Sequence, residues 1–458
     1  MTIDPAILRA YDIRGRVDRE LTEDTVHTLG QAIGSMAADA GQTAIVVGYD
    51  GRESSPRLAR ALRAGLVAAG RGVIDIGAVP TPLMYFATHW LGTQAGVVVT
   101  GSHNPPEYNG LKTIINGRPL WGEGIQSLGT RIAQGDLITG EGHERSASVI
   151  ADYTQRIRDE IQLRRPLRAV VDCGNGIPGA VAPAVLEAIG AEVIPLFCDV
   201  DGGFPNHHPD PTVPENLEDL IEAVTAHQAD VGLAFDGDGD RLGVVDEHGH
   251  IIWADRQMML YAGAVLAENP GAGIVFDVKC SASLATIIRE HGGEPIMGRT
   301  GHSLIKEKLR ETGAPLAGEM SGHLFFNDRW YGFDDGIYAA ARLLEILAAD
   351  ARPVSAVFAA LPEPTATPEI RLDLREGEPH RVMDALMARA QTFEDATVTD
   401  IDGLRVDFDD GWGLVRASNT QPCLVMRFEG TDQAALERIR ARFDALIRDS
   451  SGTIGVDI

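Results

Sequence analysis

"TAIVVGYDGRESSPRLARALRAGLVAAGRGVIDIG", residues 43–77, carries the pattern that decides the fold. Ala44 to Val47 form a short apolar run that ends in a polar turn at Asp50. From Pro56 onward, small and aliphatic side chains keep helical spacing for about four turns. Gly70 and Gly72 break that spacing, and Val73 to Ile76 begin a second apolar run. Strand, turn, helix, glycine and strand make one βαβ unit. Ser54 or Ser55 is predicted to cap the helix, with Pro56 at the first helical position, where a missing N–H is harmless. The pattern returns in "LRAVVDCGNGIPGAVAPAVLEAIGAEVIPLF" (167–197) and in "AGIVFDVKCSASLATIIREHGGEPIMGRTG" (272–301).

Each unit is followed by one more strand that ends in an unusual loop. These are "GVVVTGSHNPP" (96–106), "ADVGLAFDGDGDR" (229–241) and "APLAGEMSGH" (314–323). The Pro-rich stretch "LPEPTATPEI" (361–370) leads into a different rhythm. "GLRVDF", "GWGLVRASNTQPCLVMRFEG" and "DQAALERIRARFDALIRD" read as a small sheet with helices. The expected fold class is therefore α/β: three similar α/β domains plus a C-terminal α+β domain around a central cleft. The expected boundaries are 1–147, 148–250, 251–366 and 367–458. Each such domain falls in the ordinary size range.

The composition bounds the function. A chain of 458 residues with 44% hydrophobic and 23% charged residues fits a soluble, multi-domain globular protein. A formal net charge of −26 argues against a nucleic-acid or anionic-membrane partner, since both need a basic face. An anionic substrate would need a local basic pocket set against that field. Lysine occurs only at Lys112, Lys279, Lys306 and Lys308, so each calls for a reason. Cys173, Cys198, Cys280 and Cys423 show no metal or disulfide spacing. No basic stretch before an apolar core marks the N-terminus, and no run approaches a membrane span. A cytoplasmic, reducing compartment is expected.

The loops carry the chemistry. "FDGDGDR" offers Asp236, Asp238 and Asp240 at alternating positions, which in an extended loop would point three carboxylates one way. Such crowding calls for a hard cation, Mg²⁺ or Ca²⁺. An EF-hand is excluded, because Arg241 stands where glycine is required and the flanks read as strands. In "TGSHNPP", Ser102 ends a buried strand. A serine hydroxyl beside a divalent cation can carry a phosphoryl group, with His103 and Lys112 close by. Glu319 and Ser321 of "GEMSGH" can accept from and donate to neighbouring sugar hydroxyls. Arg416, Ser418, Asn419 and Thr420 of "RASNT", with Arg427 one strand later, form a phosphate cradle. "AYDIRGR" places Tyr11 and Arg14 in a Gly-containing turn, and "MGRTGHS" places Arg299, Thr300 and His302 after a strand.

In this order the loops TGSHNP, DGDGDR, GEMSGH and RxSNT resemble those of the α-D-phosphohexomutase family over the whole chain. The resemblance implies four domains in a heart shape. It implies a phosphoserine at Ser102 and one Mg²⁺ on Asp236, Asp238, Asp240 and Ser102. It sets Arg241 beside the serine phosphate, with Glu319 and Ser321 on the hexose 3- and 4-hydroxyls. Catalytic candidates are Ser102, His103, Lys112, Arg241, His302 and His323. Substrate-binding candidates are Tyr11, Arg14, Lys279, Arg299, Thr300, Glu319, Ser321, Arg416, Ser418, Asn419, Thr420 and Arg427. Glu-Met in GEMSGH resembles the bacterial phosphomannomutase/phosphoglucomutase branch, since phosphoglucosamine mutases usually carry Gln where Met320 stands. The implied activity interconverts hexose 1- and 6-phosphates through a hexose 1,6-bisphosphate, in a monomer or homodimer. Rival readings are a phosphoglucosamine mutase, a phosphoserine-dependent sugar phosphatase and a non-catalytic sugar-phosphate binder.

Overall fold

The computed structural model describes residues 3–375, 377–390, 393–418 and 422–454. The three sequence repeats are three copies of one sheet plan. In the first, Gly72–Ala78, Ala44–Tyr49 and Gly96–Val99 run parallel, and Tyr108–Ile115 adds on antiparallel. The second sets Glu192–Leu196, Arg168–Asp172 and Val231–Phe235 parallel, with Leu242–Asp246 antiparallel. The third does the same with Glu294–Gly298, Gly273–Asp277, Leu316–Gly318 and Leu324–Phe326.

In each copy, the reversal from the third parallel strand to the antiparallel one is the loop with the distinctive sequence. The three loops thus sit at equivalent C-terminal strand ends, where α/β sheets place their ligands. Gly96–Val99, Val231–Phe235 and Leu316–Gly318 are buried at every residue, as strands covered on both faces must be.

Local details depart from the sequence reading. Ser55–Ala68 runs close to four turns, but the second repeat has only a short 3₁₀ turn and Ala182–Ala188, and the third has Ala282–Glu290. The expected serine cap does not form. Ser54 is already helical and makes no side-chain cap bond, while Ser55 Oγ donates to buried Asp50 at 2.5 Å. Asn109 Nδ2 donates to both serine hydroxyls. "AYDIRGR" is not a turn: Ile13–Arg16 is an edge strand paired antiparallel with Tyr108–Ile115.

The fourth sheet is antiparallel throughout, built around the hairpin Gly411–Ala417 and Cys423–Gly430. Gln433–Ile454 packs on it. One hydrophobic core runs through the first three sheets, from Val46 through Leu233 to Leu344. The fourth sheet keeps its own core around Val382, Leu404, Phe428 and Phe443. A small cluster of Val278, Trp412 and Leu414 joins it to the third sheet. No helix among the described residues is long and apolar enough to cross a membrane.

Candidate active site

Ser102 is buried and its backbone is left-handed, with φ of 48°. Its Oγ donates to Asp236 Oδ2 at 2.9 Å and lies 3.1 Å from His103 Nδ1. The loop is held from beneath by Arg52, a residue the sequence reading missed. The buried Arg52 guanidinium donates to the carbonyls of Ser102, Asn104, Pro105 and Tyr108. Asp50 completes the support, accepting from Thr100 Oγ1 and the Gly101 amide. Arg14 donates to Asn104 Oδ1 and the Gly101 carbonyl. The signal for Arg52 was present as Asp-Gly-Arg at a parallel strand's C-terminal end.

Asp236, Asp238 and Asp240 are fully buried, and one oxygen of each lies within 4.8 Å of the others. They converge through a turn with Gly239 at φ 79°, not through extended alternation. Gly237 is required there, since an added Cβ would lie 2.4 Å from the Ser102 carbonyl oxygen. Lys112 Nζ reaches Asp238 at 2.7 Å and Asp240 at 2.5 Å, and Thr81 Oγ1 also donates to Asp238. Burial and the two neighbouring carboxylates hold the Asp236 pKa well above the usual range. Burial pushes Asp238 the same way, but Lys112 overcomes it and keeps Asp238 ionised. Asp238 Oδ1 and Asp240 Oδ1 are buried without a hydrogen-bond partner. Two orphaned carboxylate oxygens in a cluster of three fit a hard divalent cation.

Burial, reinforced by Arg241 and Arg14, keeps the His103 pKa well below the ordinary value, so its imidazole is neutral. Arg241 bridges to the third sheet: its Nε donates to His323 Nε2 at 2.9 Å, and its backbone pairs with that of His323. His302 and His323 stack with ring centroids 5.3 Å apart. Both face Asp334, which also binds Lys306 at 2.8 Å. Lys306 reaches Tyr85 on helix Thr81–Trp90 of the first domain. Lys112, Lys279 and Lys306 are therefore all buried and paired, whereas Lys308 lies at the surface with Glu311.

Glu319 accepts from the Gly301 amide and from Ser321 Oγ, and burial raises its pKa. Asp277 ties this loop to the next, accepting from the Met320 amide and Thr300 Oγ1. Tyr11 donates to the Thr300 carbonyl. Arg416 pairs with Asp402, which also accepts from the Thr300 amide. Arg427 is drawn into the third domain, onto Asp255 and the Lys279 carbonyl. Lys279 pairs with Glu369, and Arg299 is exposed. The Ser418 amide donates to the Cys423 carbonyl, while Asn419 and Thr420 lie outside the described residues.

Four family models match in sequence: phosphoglucomutase/phosphomannomutase α/β/α domains I, II and III at residues 6–138, 151–249 and 253–365, and the C-terminal domain at 369–446. The chain belongs to the phosphoglucomutase/phosphomannomutase family. It is 53% identical over 442 residues to a phosphomannomutase/phosphoglucomutase of Pseudomonas aeruginosa, covering 96% of this chain and 95% of that one. It is 50% identical to a phosphoglucomutase of Neisseria meningitidis serogroup A over 98% of both chains. A family protein of Burkholderia thailandensis superposes with a TM-score of 0.94 at 51% identity, over 98% of each chain. This member is thus a phosphohexomutase, an isomerase that acts on sugar phosphates.

Proposed function

We propose that the chain interconverts the 1- and 6-phosphates of both glucose and mannose, with Ser102 as the phosphoryl carrier. The observation that carries this reading is the Ser102 hydroxyl donating to Asp236, the first of three buried carboxylates, beside His103 and the positive charges of Arg241, Arg14 and Lys112 that act on it. The name of the Pseudomonas relative, which includes both sugars, supports the dual specificity.

In the proposed cycle, phospho-Ser102 meets the free 1- or 6-hydroxyl of a bound monophosphate. The bond from phosphorus to Ser102 Oγ breaks, the bond to the sugar oxygen forms, and the hydroxyl proton leaves to a base. The resulting 1,6-bisphosphate turns over, and its other phosphate returns to Ser102. In that return step neutral His103, 3.1 Å from Oγ, takes the serine proton. Glu319 and Ser321 hold the 3- and 4-hydroxyls, which exchange places on the flip, while the 2-hydroxyl that separates mannose from glucose goes unread. Arg416 holds the phosphate that is not being transferred. Asp236, Asp238, Asp240 and Ser102 would hold one Mg²⁺, which supplies neutralisation of the phosphoryl oxygens.

The test joins intact mass with product analysis. A phosphate on Ser102 and conversion of glucose 1-phosphate to glucose 6-phosphate are expected. Free phosphate as the main product would make the protein a phosphatase and overturn the reading.

A further inference from the structure

Asp402 lies in the turn before Leu404–Phe408 and links two parts of the site that come from different domains. Its Oδ2 accepts from the Thr300 amide at 2.9 Å and from Arg416 Nε at 3.1 Å, and its Oδ1 accepts from Arg416 Nη2 at 3.3 Å. Both side chains of the ion pair are more than nine-tenths buried. The turn lies directly on Arg416. Gly403 has φ of 86°, and an added Cβ there would stand 2.6 Å from Arg416 Cβ. Thr300 adjoins Gly301, whose amide is bound by Glu319. A continuous path of hydrogen bonds therefore runs from Arg416 through Asp402 and the 300–301 turn to the carboxylate proposed to hold the sugar.

We propose that Asp402 is a positioning residue that fixes the distance between the phosphate-holding arginine and the sugar-holding loop. This inference rests on Arg416 being the phosphate holder. A hexose monophosphate presents its phosphate and its 3- and 4-hydroxyls at a set spacing. A site that meets the sugar in two orientations gains from a contact within the protein that sets that spacing. Two of the five N–H donors of Arg416 go to Asp402, which fixes the guanidinium plane and leaves Nη1 outside the pair.

Charge and position make opposite predictions. Asp402 is an anion beside an anion site, so removing its charge alone would tighten phosphate binding. In Asp402→Asn, an amide oxygen at the Oδ2 position can still accept from Thr300 and Arg416 Nε, but the NH₂ at the Oδ1 position confronts Arg416 Nη2, so the two-point grip that fixes the guanidinium plane is lost. Asp402→Glu keeps the charge and shifts it by one methylene. Both variants are expected to raise KM for glucose 1-phosphate about tenfold, with kcat within about threefold of wild type. Inhibition by inorganic phosphate, which needs Arg416 but no fixed spacing, should be undiminished in Asp402→Asn.

Thermal melts establish that the variants fold, and Asp402→Glu carries the test if Asp402→Asn does not. An unchanged or lower KM in Asp402→Asn overturns the inference. So does a wild-type KM in Asp402→Glu, which would make charge the operative property. Equal weakening of glucose 1-phosphate and inorganic phosphate overturns it as well, since that marks general loosening. Arg416→Ala runs in parallel. A wild-type KM there removes the phosphate-holding reading itself, an outcome distinct from failure of the Asp402 variants alone.

Discussion

At the scale of single residues, the site stores strain and charge that its neighbours hold in place. Ser102 keeps a Cβ at a positive φ, a conformation that costs of order 1 kcal/mol outside glycine. Arg52 and Asp50 hold it there through the loop's own carbonyls and amide. Ser102→Ala and Ser102→Gly both remove Oγ, so both should lose mutase activity. They differ in the Cβ, and Ser102→Gly should melt higher than Ser102→Ala, the reverse of the usual order. Thermal unfolding of the pair decides it, and an alanine variant as stable as the glycine one would contradict the strained backbone. Lys112 offers a second case. Its ammonium takes one oxygen each of Asp238 and Asp240, so it balances the acidic cluster when divalent cations are scarce. Breaking one side of a buried ion pair costs roughly 3–5 kcal/mol. Lys112→Met should therefore lose far more thermal stability on chelation with EDTA than wild type does, and added Mg²⁺ should restore most of it. Equal responses of the two proteins to EDTA would sink this account of Lys112.

At the scale of elements, the three repeats were legible because periodicity and turn chemistry are local properties. A strand that ends in TGSHNPP or FDGDGDR announces its loop within a dozen residues. The supporting groups were not legible, because they arrive from other elements, often far along the chain: Arg52 to the 102–108 loop, Asp334 to His302, Asp402 to Thr300. The serine cap failed for the same reason, since Asn109 and Asp50 compete for the hydroxyls. Helix Gly336–Ala349 joins a local cap to a distant partner. Asp335 caps it through the Tyr338 amide, and it also accepts from Tyr153 and Trp330. Burial lifts its pKa to about 7, despite those donors. The neutral acid is therefore favoured in the folded chain. Its contribution is complete below about pH 4, where the unfolded carboxyl is also protonated, and it is lost as pH rises through about 7. The shift is on the order of 4 kcal/mol. His302 works oppositely in the same window. Burial and Lys306 lower its pKa to about 4, so its contribution is lost as pH falls toward that value. Asp335→Asn keeps an acceptor for the cap and removes the titration. Its unfolding midpoint should rise relative to wild type between pH 5 and pH 8, and parallel curves would show that Asp335 does not titrate there.

At the scale of the molecule, the cores divide unequally. The first three sheets share one continuous hydrophobic core, so relative motion among them would open apolar surface at about 25 cal/mol per Å². The fourth has its own core and meets the third through Val278, Trp412 and Leu414 and a set of polar contacts. Those contacts include Arg405 to the carbonyls of Val278 and Cys280, Arg427 to Asp255, Lys279 to Glu369, and Asp402 to Thr300. Polar groups at such an interface can pair again with water when it opens, and a small apolar patch can slide. The fourth domain is therefore the part that a relative motion would carry, with Arg416 aboard, and the bond from the Thr300 amide to Asp402 marks its closed position. A sugar phosphate that touches both Glu319 and Arg416 binds the closed arrangement more tightly than an open one, and it can shift the population only by that difference. Fluorophores on an exposed residue of the first domain and on the outer face of Gln433–Ile454 should move closer when glucose 1-phosphate is added. Inorganic phosphate should produce much less change, since it does not span the two loops. Arg416→Ala should abolish the ligand response while leaving the unliganded distance as it was. An identical distance with and without glucose 1-phosphate, in a protein that turns the sugar over, would mean that the polar contacts hold the fourth domain as firmly as a shared core would.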